Sequence, residues 1–264
     1  MEHPVVLTVA GFDPSSGAGV TADIKTIAAH GCYGVSCITA LTVQSTRGVK
    51  RVIPATVEVL RETLEELAKD FDFAAVHVGM LGAAALGSAL ADFLEEHRCR
   101  NIVLDPLLKA TSGAGLTDAD GIEVLRLRLF KMAALITPNL AEAAALTGTT
   151  VENLEDMHRA MERLHTLGAK NVVITGGHLP QPVDLLSENY GAQVEEFAGE
   201  RIESNATHGT GCAFSTSVAC NLARGMKLGD SVRLAGEYVR RAIANAYPVG
   251  TGTGPVNHLF GREG

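Results

Sequence analysis

The strongest candidate for chemistry is the segment of residues 207–212, Thr-His-Gly-Thr-Gly-Cys, which directly precedes a predicted helix over residues 212–224. Glycines at the start of a helix let several backbone N–H groups converge on one anion, and the positive end of the helix dipole favours negative charge there. A plain loop with a helix cap is the structural alternative. We predict that Gly209, Thr210 and Gly211 bind a phosphate group.

Cys212 is the first residue of that predicted helix. Thiol pKa values fall at helix N-termini, so a cysteine at this position can act as a thiolate base or as a nucleophile. A single cysteine is more often an unreactive part of the core. Both interpretations remain open from the sequence.

A second glycine-rich loop, residues 13–22, contains a Gly-x-Gly-x-x-Ala pattern that imitates a dinucleotide-binding fingerprint. Six residues separate Ala10, the end of the preceding predicted strand, from Gly17, and the second strand ends at Gln44 without an acidic residue to hold a ribose. We therefore predict that Asp13 and the glycines shape a loop that closes over a small substrate. Capping of the next helix by Asp or Ser is the alternative.

Two carboxylates follow predicted strands. Asp105 comes directly after one strand, and Glu142 follows the next one, three residues after Asn139. Asn with Glu three residues later is typical of a capping box at a helix start. Asp105 and Glu142 are also suited to holding Mg²⁺, directly or through its water shell. Both interpretations hold together if Asn139 caps the helix while Glu142 reaches outward.

The elements that position these residues are short apolar runs alternating with amphipathic helices. The runs predict strands over residues 5–10, 35–43, 74–78, 101–104, 134–137 and 171–175. This order is typical of βαβ crossovers, and continuous apolar strands indicate a mainly parallel sheet covered by helices on both faces. Polar–apolar alternation over residues 182–203 predicts a small antiparallel hairpin at the sheet edge. We expect one α/β domain over residues 1–264.

Polar and glycine residues follow each predicted strand, and the carboxyl ends of parallel strands meet at one edge of the sheet, where ligands bind. These residues are Gly11-Phe12-Asp13, Gln44, Gly79-Met80, Asp105, Asn139 with Glu142, and Gly176-Gly177-His178. We also expect His77 to be a satisfied interior or edge histidine and residues 250–255 to be a flexible connection.

Composition excludes several classes of protein. The net charge of −8 opposes a nucleic-acid or anionic-membrane surface, which needs clustered Lys and Arg. The start of the chain lacks a signal-peptide pattern and no window resembles a membrane span, so we expect a cytoplasmic protein. Five cysteines without a CxxC pair indicate neither a disulfide framework nor a zinc ribbon. The 28 glycines exceed the usual share of about 7% and need an explanation.

Taken together, these motifs resemble the bacterial hydroxymethylpyrimidine/phosphomethylpyrimidine kinases of thiamine biosynthesis, in the family's order and over nearly the whole chain. The matching segments are residues 9–19, Ala22 to Thr26, Tyr33-Gly34, Gln44, residues 79–81, residues 104–106, Ser112-Gly113, residues 137–140 with Glu142, residues 176–178, Asn205, residues 207–212 and residues 252–255 with His258.

The resemblance implies a ribokinase-like three-layer sandwich. It also implies transfer of the ATP γ-phosphoryl group to the hydroxymethyl group of the pyrimidine and then to the resulting monophosphate. By the family pattern, Gln44 hydrogen-bonds the aminopyrimidine, with Gly11, Asp23 and Met80 near it. A Gln amide suits this role because it offers both a donor and an acceptor.

The same resemblance assigns the phosphoryl-transfer groups and a homodimeric state. Residues 209–212 form the anion hole, with Cys212 where related sugar kinases carry an aspartate base. Asp105 and Glu142, together with Asn139, organise Mg²⁺. ATP lies against Asn139, Glu142 and two further residues, Thr175 and Gly177.

Two positions depart from the family. Thr175 stands before Gly-Gly-His and Thr111 before Ser-Gly, where the family commonly has Lys, and Lys109 lies two residues upstream of the second. Two alternatives therefore remain. One is a pyridoxal or pyridoxine kinase on the same fold, and the other is a non-catalytic protein that binds the pyrimidine or a nucleotide.

Overall fold

A single sheet of nine strands forms the centre of the fold in this computed structural model, which describes residues 3–108 and 116–261. The strands are β1 (Val5–Phe12), β2 (Tyr33–Ser45), β3 (Gly48–Pro54), β4 (Phe73–Val78), β5 (Ile102–Leu104), β6 (Leu135–Ile136), β7 (Val172–Gly176), β8 (Val183–Glu188) and β9 (Gln193–Ala198). Their order across the sheet is β3-β2-β1-β4-β5-β6-β7-β8-β9.

The centre of the sheet is parallel and both edges are antiparallel. β1 pairs in parallel with β2 and β4, and the parallel pairing continues from β4 through β5 and β6 to β7. β8 and β9 form the predicted hairpin at one edge, with Tyr190 and Gly191 at positive φ in its turn. The predicted mainly parallel α/β architecture with an edge hairpin is thus confirmed.

The strand β3 at the opposite edge was not predicted from the sequence. It pairs antiparallel with the outer half of β2. Lys50 and Arg51 interrupt its apolar residues, and most of the strand is exposed or half-buried, so its local pattern lacks the continuous apolar run of the central strands.

The helices lie between the strands and after the hairpin. They are α1 (Gly19–Ala29), α2 (Val57–Asp70), α3 (Ala84–Glu96), α4 (Ala119–Val124), α5 (Leu140–Thr147), α6 (Leu154–Thr166), α7 (Thr210–Ala223) and α8 (Leu228–Ala244). The π-helical residues Leu125–Leu129 continue α4. The amphipathic α2 begins where Thr56 Oγ1 accepts a hydrogen bond from the backbone N–H of Val59, as a helix cap does.

Two hydrophobic clusters cover the two faces of the sheet, which gives three layers. On one face, Leu7 packs with apolar residues of α2 and α3 such as Leu60 and Leu90. On the other face, Val6 packs with residues of α7 and α8 such as Val218. Neighbouring strand residues point to opposite faces, so the mostly apolar residues of β1 are covered on both sides.

The described helices include none with the length and apolar character needed to cross a membrane. Four positions named above, Lys109, Thr111, Ser112 and Gly113, lie outside the described residues. The assignment of residues 1–264 to one domain stays a prediction.

Candidate active site

The carboxyl end of the central strands brings several of the predicted site residues into contact. A Cβ atom on Gly11 would lie 2.4 Å from Cε of Met80, so these two residues share one wall. Asn139 forms a parallel bridge with Thr175. A Cβ atom on Gly211 would lie 3.8 Å from Oδ2 of Asp105. The two predicted halves of the site, for substrate and for phosphate, therefore share one edge of the sheet.

The two glycine-rich loops pack directly against each other. Gly209 has a φ of +84°, and a Cβ atom there would lie 1.8 Å from the carbonyl oxygen of Gly17. In turn, a Cβ atom on Gly17 would lie 2.2 Å from Cδ2 of His208. A side chain at Gly209 would force the two backbones apart, and one at Gly17 would displace the ring of His208.

Asp13 connects these loops. Its Oδ1 accepts hydrogen bonds from the backbone N–H and the hydroxyl of Ser15, at 2.8 and 2.6 Å, and its Oδ2 accepts from the backbone N–H of Ala18 at 3.0 Å. Nε2 of His208 lies 2.9 Å from the same Oδ2. The capping position of α1 is Ala18, which makes no side-chain cap. Asp13 therefore organises the loop and is not a simple helix cap.

Hydrogen bonds stabilise the negative charge of the buried Asp13 carboxylate. Burial raises the pKa of this carboxyl, but the hydrogen bonds from His208 and Ser15 outweigh that effect and lower the pKa to about 2. The group is only 3% exposed. Folding therefore stabilises the ionised form of Asp13.

Gln44 lies on the part of β2 that extends beyond β1, next to the turn of residues 207–212. Its Nε2 is 3.3 Å from Nε2 of His208, and the hydroxyl of Thr42 donates to its Oε1 at 3.1 Å. His208 is thus in contact both with Gln44 and with Asp13. The amino-acid sequence gave no signal for this contact, because 164 residues separate Gln44 from His208.

Residues 250–255 are held by backbone hydrogen bonds, which corrects the expectation of a flexible connection. The N–H of Thr253 donates to the carbonyl of Thr46, and the N–H of His208 donates to the carbonyl of Gly254. The segment contains no helix or named strand, only a bridge between Pro255 and His208, and its glycines did not indicate these partners. It joins the β2–β3 turn to the turn of residues 207–212.

The helix predicted after the glycine-containing segment of residues 207–212 is confirmed, with Gly209 as its capping residue and Thr210 as its first residue. Cys212 is 6% exposed in its first turn. Burial raises the pKa of its thiol well above the ordinary value, and the nearby carboxyls of Asp23 and Asp105 raise it further. Of the two interpretations left open by the sequence, burial and the neighbouring negative charge favour the neutral thiol over the thiolate.

The predicted capping box at α5 is confirmed. Asn139 Oδ1 accepts from the backbone N–H of Glu142 at 3.0 Å, and Glu142 Oε2 accepts from the backbone N–H of Asn139 at 2.9 Å. Glu142 is 7% exposed and does not reach outward as the combined interpretation expected. The buried carboxyl of Glu142 that makes the capping hydrogen bond is therefore the same group that is the candidate Mg²⁺ ligand.

Asp105 and Glu142 form a buried acidic pair with raised proton affinity. Burial, reinforced by the charge of Asp105, raises the pKa of Glu142 to about 8. Burial raises the pKa of Asp105 to about 6. Two such carboxyls fit a divalent cation, which would offset their desolvation and mutual repulsion. No cluster of three or more His, Cys, Asp or Glu residues with metal-binding geometry occurs within residues 3–108 and 116–261.

Asp23 lies beneath the site, in contrast to the substrate contact expected from the resemblance. Its side chain is 0% exposed, and it accepts hydrogen bonds from the hydroxyls of Thr8 at 2.7 Å and Thr216 at 2.9 Å. The physical reason is its position on the inner face of α1, against β1 and α7. It can influence a ligand only through other residues.

Thr175, the second-last residue of β7, forms its bridge with Asn139 and is half-buried. Gly177 is the first residue after β7; it is exposed and has open space where a Cβ atom would be. These positions are accessible to a ligand, and their predicted contact with ATP stays a prediction.

Sequence reasoning did not predict a role for the buried polar residues of α7. Ser215 and Thr216 are fully buried although the helix was predicted from its apolar stripe alone. Their side chains bond Asp105, at 3.4 Å, and Asp23. The available signal was the run Ser215-Thr216-Ser217 inside an otherwise apolar helix.

Comparison with protein families and curated sequences identifies related kinases. The phosphomethylpyrimidine kinase family model matches residues 13–257. The thiamine biosynthesis bifunctional protein ThiED of Geobacter sulfurreducens is 44% identical over 98% of this chain, which spans 53% of that longer relative. The hydroxymethylpyrimidine/phosphomethylpyrimidine kinase of Bacillus subtilis is 38% identical, over 96% of this chain and 94% of its own length.

Solved structures give a consistent result for the fold. An ADP complex of Bacillus subtilis pyridoxal kinase superposes with a TM-score of 0.89 at 31% identity, covering 97% of this chain and 98% of that one. A phosphomethylpyrimidine kinase from Clostridium difficile superposes with a TM-score of 0.80 at 33% identity, and the match covers 91% of this chain and 99% of that one. The complex of Staphylococcus aureus pyridoxal kinase with AMP-PCP and pyridoxal superposes with a TM-score of 0.90 at 28% identity, and the match covers 99% of this chain and 96% of that one.

The contact between the glycine loops predicts different effects of alanine at two neighbouring positions. Gly209→Ala is expected to lower the free energy of unfolding by at least about 2 kcal/mol, because a side chain at positive φ is strained and clashes with Gly17. Gly211→Ala is expected to leave the melting temperature nearly unchanged, since its methyl meets only Asp105 at 3.8 Å. Thermal melting of both variants checks this, and equal melting temperatures would contradict it.

The low pKa of Asp13 predicts a pH-dependent contribution to stability. A carboxyl whose pKa falls from 3.8 to about 2 on folding stabilises the protein above pH 3.8. The contribution, about 2 kcal/mol, disappears as the pH falls towards 2. Urea unfolding of wild type and Asp13→Asn should therefore show a stability difference at neutral pH that narrows below about pH 4. A difference that stays constant through this range counts against the assignment.

Proposed function

Because the chain belongs to the phosphomethylpyrimidine kinase family, we propose that it phosphorylates 4-amino-5-hydroxymethyl-2-methylpyrimidine and then the resulting monophosphate. ATP donates its γ-phosphoryl group in both steps of this thiamine-biosynthesis reaction. The observation that carries the proposal is the contact of Gln44 with His208, the residue before Gly209 of the phosphate-binding turn. A hydrogen-bonding amide next to an anion-binding turn matches a polar ring that carries a phosphate acceptor.

The pyrimidine binds against the wall formed by Gly11 and Met80, with the amide of Gln44 at its edge. Gly11 leaves room for the side chain of Met80, since a Cβ atom there would lie 2.4 Å from Cε. The Gln44 amide offers a donor and an acceptor to a ring nitrogen and an exocyclic amine. Asp23 lies beneath the ring, where it accepts hydrogen bonds from Thr8 and Thr216, and makes no direct contact.

The phosphoryl group is transferred at the start of α7. Backbone N–H groups of residues 209–212 and the positive end of the helix stabilise its charge. In a loose transition state the attacking hydroxyl needs little deprotonation, so positioning and charge neutralisation dominate. A neutral thiol at Cys212 is compatible with this chemistry, and in the second step the acceptor is already ionised.

ATP and Mg²⁺ occupy the side of the site nearest α5 and β7. Pyridoxal kinase structures with AMP-PCP or ADP, at 28% and 31% identity, support ATP as the donor. Asp105 and Glu142 would hold Mg²⁺, which neutralises phosphate charge when bound. Asn139, Thr175 and Gly177 would contact the nucleotide, and with Thr175 in place of the family's Lys, phosphate binding depends more on the helix terminus.

A pyridoxal kinase is the second candidate. The specific observation that favours it is the set of pyridoxal kinase structures with TM-scores of 0.89 and 0.90 to this chain. The curated relatives named as hydroxymethylpyrimidine/phosphomethylpyrimidine kinases favour the pyrimidine, at 38% identity for the Bacillus subtilis protein. The relatives' names as kinases also favour an enzyme over a binding protein. The cytoplasmic location and the homodimer stay predictions.

Coupled measurement of ADP release distinguishes the two substrates. We expect Mg²⁺-dependent ADP release with hydroxymethylpyrimidine and with its monophosphate, and a lower kcat/KM with pyridoxal. Gln44→Leu should lower kcat/KM for the pyrimidine by about tenfold or more, because the variant loses the hydrogen bonds that fix the ring. Leu41→Gln, at a half-exposed position on the same strand, is the matched control. A preference for pyridoxal would overturn the proposal.

The state of Cys212 predicts unequal effects on the two steps. Cys212→Ala should slow the first phosphorylation by less than the ~10²-fold that a positioned general base contributes, because the thiol is neutral. It should slow the second phosphorylation still less, because a phosphate acceptor needs no base. Single-turnover rates with each acceptor measure both effects. Equal losses in the two steps would contradict this assignment.

A further inference from the structure

A chain of buried polar side chains runs behind the site and connects Asp23 to Asp105 through His77. The hydroxyl of Thr8 donates to Asp23 Oδ2 at 2.7 Å, and Nδ1 of His77 lies 3.1 Å from the same hydroxyl oxygen. On the other side of the ring, Nε2 of His77 lies 2.9 Å from Oγ of Ser215. Ser215 then approaches Asp105 Oδ2 at 3.4 Å.

The hydrogen bonds at Nδ1 require a proton on that atom of His77. Thr8 has one hydroxyl proton, and its short contact with Asp23 uses it. Towards His77 the Thr8 oxygen is therefore an acceptor, and Asp23 Oδ2, at 3.4 Å from Nδ1, is an acceptor as well. Nδ1 faces two acceptors and must donate.

The hydrogen bonds at Nε2 lead to the same result. The hydroxyl of Ser215 has three other neighbours, the carbonyl oxygens of Gly211 at 3.0 Å and Cys212 at 3.2 Å and the carboxyl of Asp105. All three only accept. If the Ser215 proton serves one of them, the Ser215 oxygen accepts from Nε2, and His77, with protons on both nitrogens, is an imidazolium.

The surroundings of His77 support a positive charge. The side chains of His77 and Asp23 are both 0% exposed, and an unpaired charge there would be strongly destabilising. Burial lowers the pKa of His77, but the negative charges of Asp23 and Asp105 outweigh burial and raise it above the ordinary value. The ring thus lies between two acidic groups that compensate its charge.

We propose that His77 is a positioning residue for phosphoryl transfer. As a buried imidazolium it orients Ser215 beneath the turn of residues 209–212 and balances the negative charge of Asp23 and Asp105. This role rests on the proposed function. The hydroxyl of Ser215 lies at hydrogen-bonding distance from the carbonyl oxygens of Gly211 and Cys212. Its orientation therefore affects the position of the turn that, in the proposed function, binds the transferring group.

The charge of His77 is measurable without any substrate. In ¹⁵N-detected NMR of the wild-type chain, the His77 signals, assigned by their loss in His77→Gln, should show two protonated ring nitrogens at neutral pH. Exposed His97 in the same spectrum is the internal reference. A neutral His77 ring would overturn the proposal whatever the enzymatic activity.

Kinetics then test the positioning role. His77→Gln should lower kcat by about 10- to 100-fold and change KM for the pyrimidine little, as expected for a residue that acts through another. His77→Lys, which keeps a cation with N–H donors, should recover part of the lost kcat. Thr216→Val is the matched control, because it removes a buried hydrogen bond to the other oxygen of Asp23 and leaves His77 and Ser215 in place.

The outcomes separate this inference from the proposed function. Unchanged kcat in His77→Gln, no recovery in His77→Lys, or an equal loss in Thr216→Val would each refute the positioning role. A wild-type chain that releases no ADP with any acceptor would refute the proposed function, and NMR would still decide the charge of His77.

Discussion

The close contact between the two glycine-rich loops is the constraint on which the site depends. The backbone of Gly209, the capping residue of α7, lies against Gly17 because neither residue has a side chain, and Asp13 holds that contact through hydrogen bonds on both sides. His208 extends the contact to Gln44. The loop of residues 13–22 and the turn of residues 207–212 are therefore held together, although 195 residues separate Asp13 from His208.

The second organising feature is buried negative charge. Burial raises the pKa values of Asp105 and Glu142 and, with the nearby carboxyls, that of Cys212. At Cys212 these effects favour the neutral thiol, although the residue lies in the first turn of α7. A divalent cation at the carboxyl pair and an imidazolium at His77 are positive groups of the kind this environment favours. The buried carboxyls of the site thus favour positive groups beside them and disfavour a reactive thiolate at Cys212.

Much of the fold was predictable because its signals are local. The continuous apolar run of β1, the capping box at α5 and the polar–apolar alternation of the hairpin each require only a few neighbouring residues. The edge strand β3 was missed because charged residues interrupt its apolar pattern and it depends on pairing with β2. Residues 250–255 were misjudged because their partners, Thr46 and His208, lie far away in the chain.

The sequence by itself determined the class of the fold, the helix that begins after residues 207–209 and the family, since these depend on short motifs with fixed spacing. Only the tertiary structure decided that Asp23 lies beneath the site, that Cys212 is a neutral thiol and that His77 joins two carboxyls. The reason is physical: pKa values and buried hydrogen bonds are set by desolvation and by charges from several distant elements, and neither quantity exists until those elements pack together.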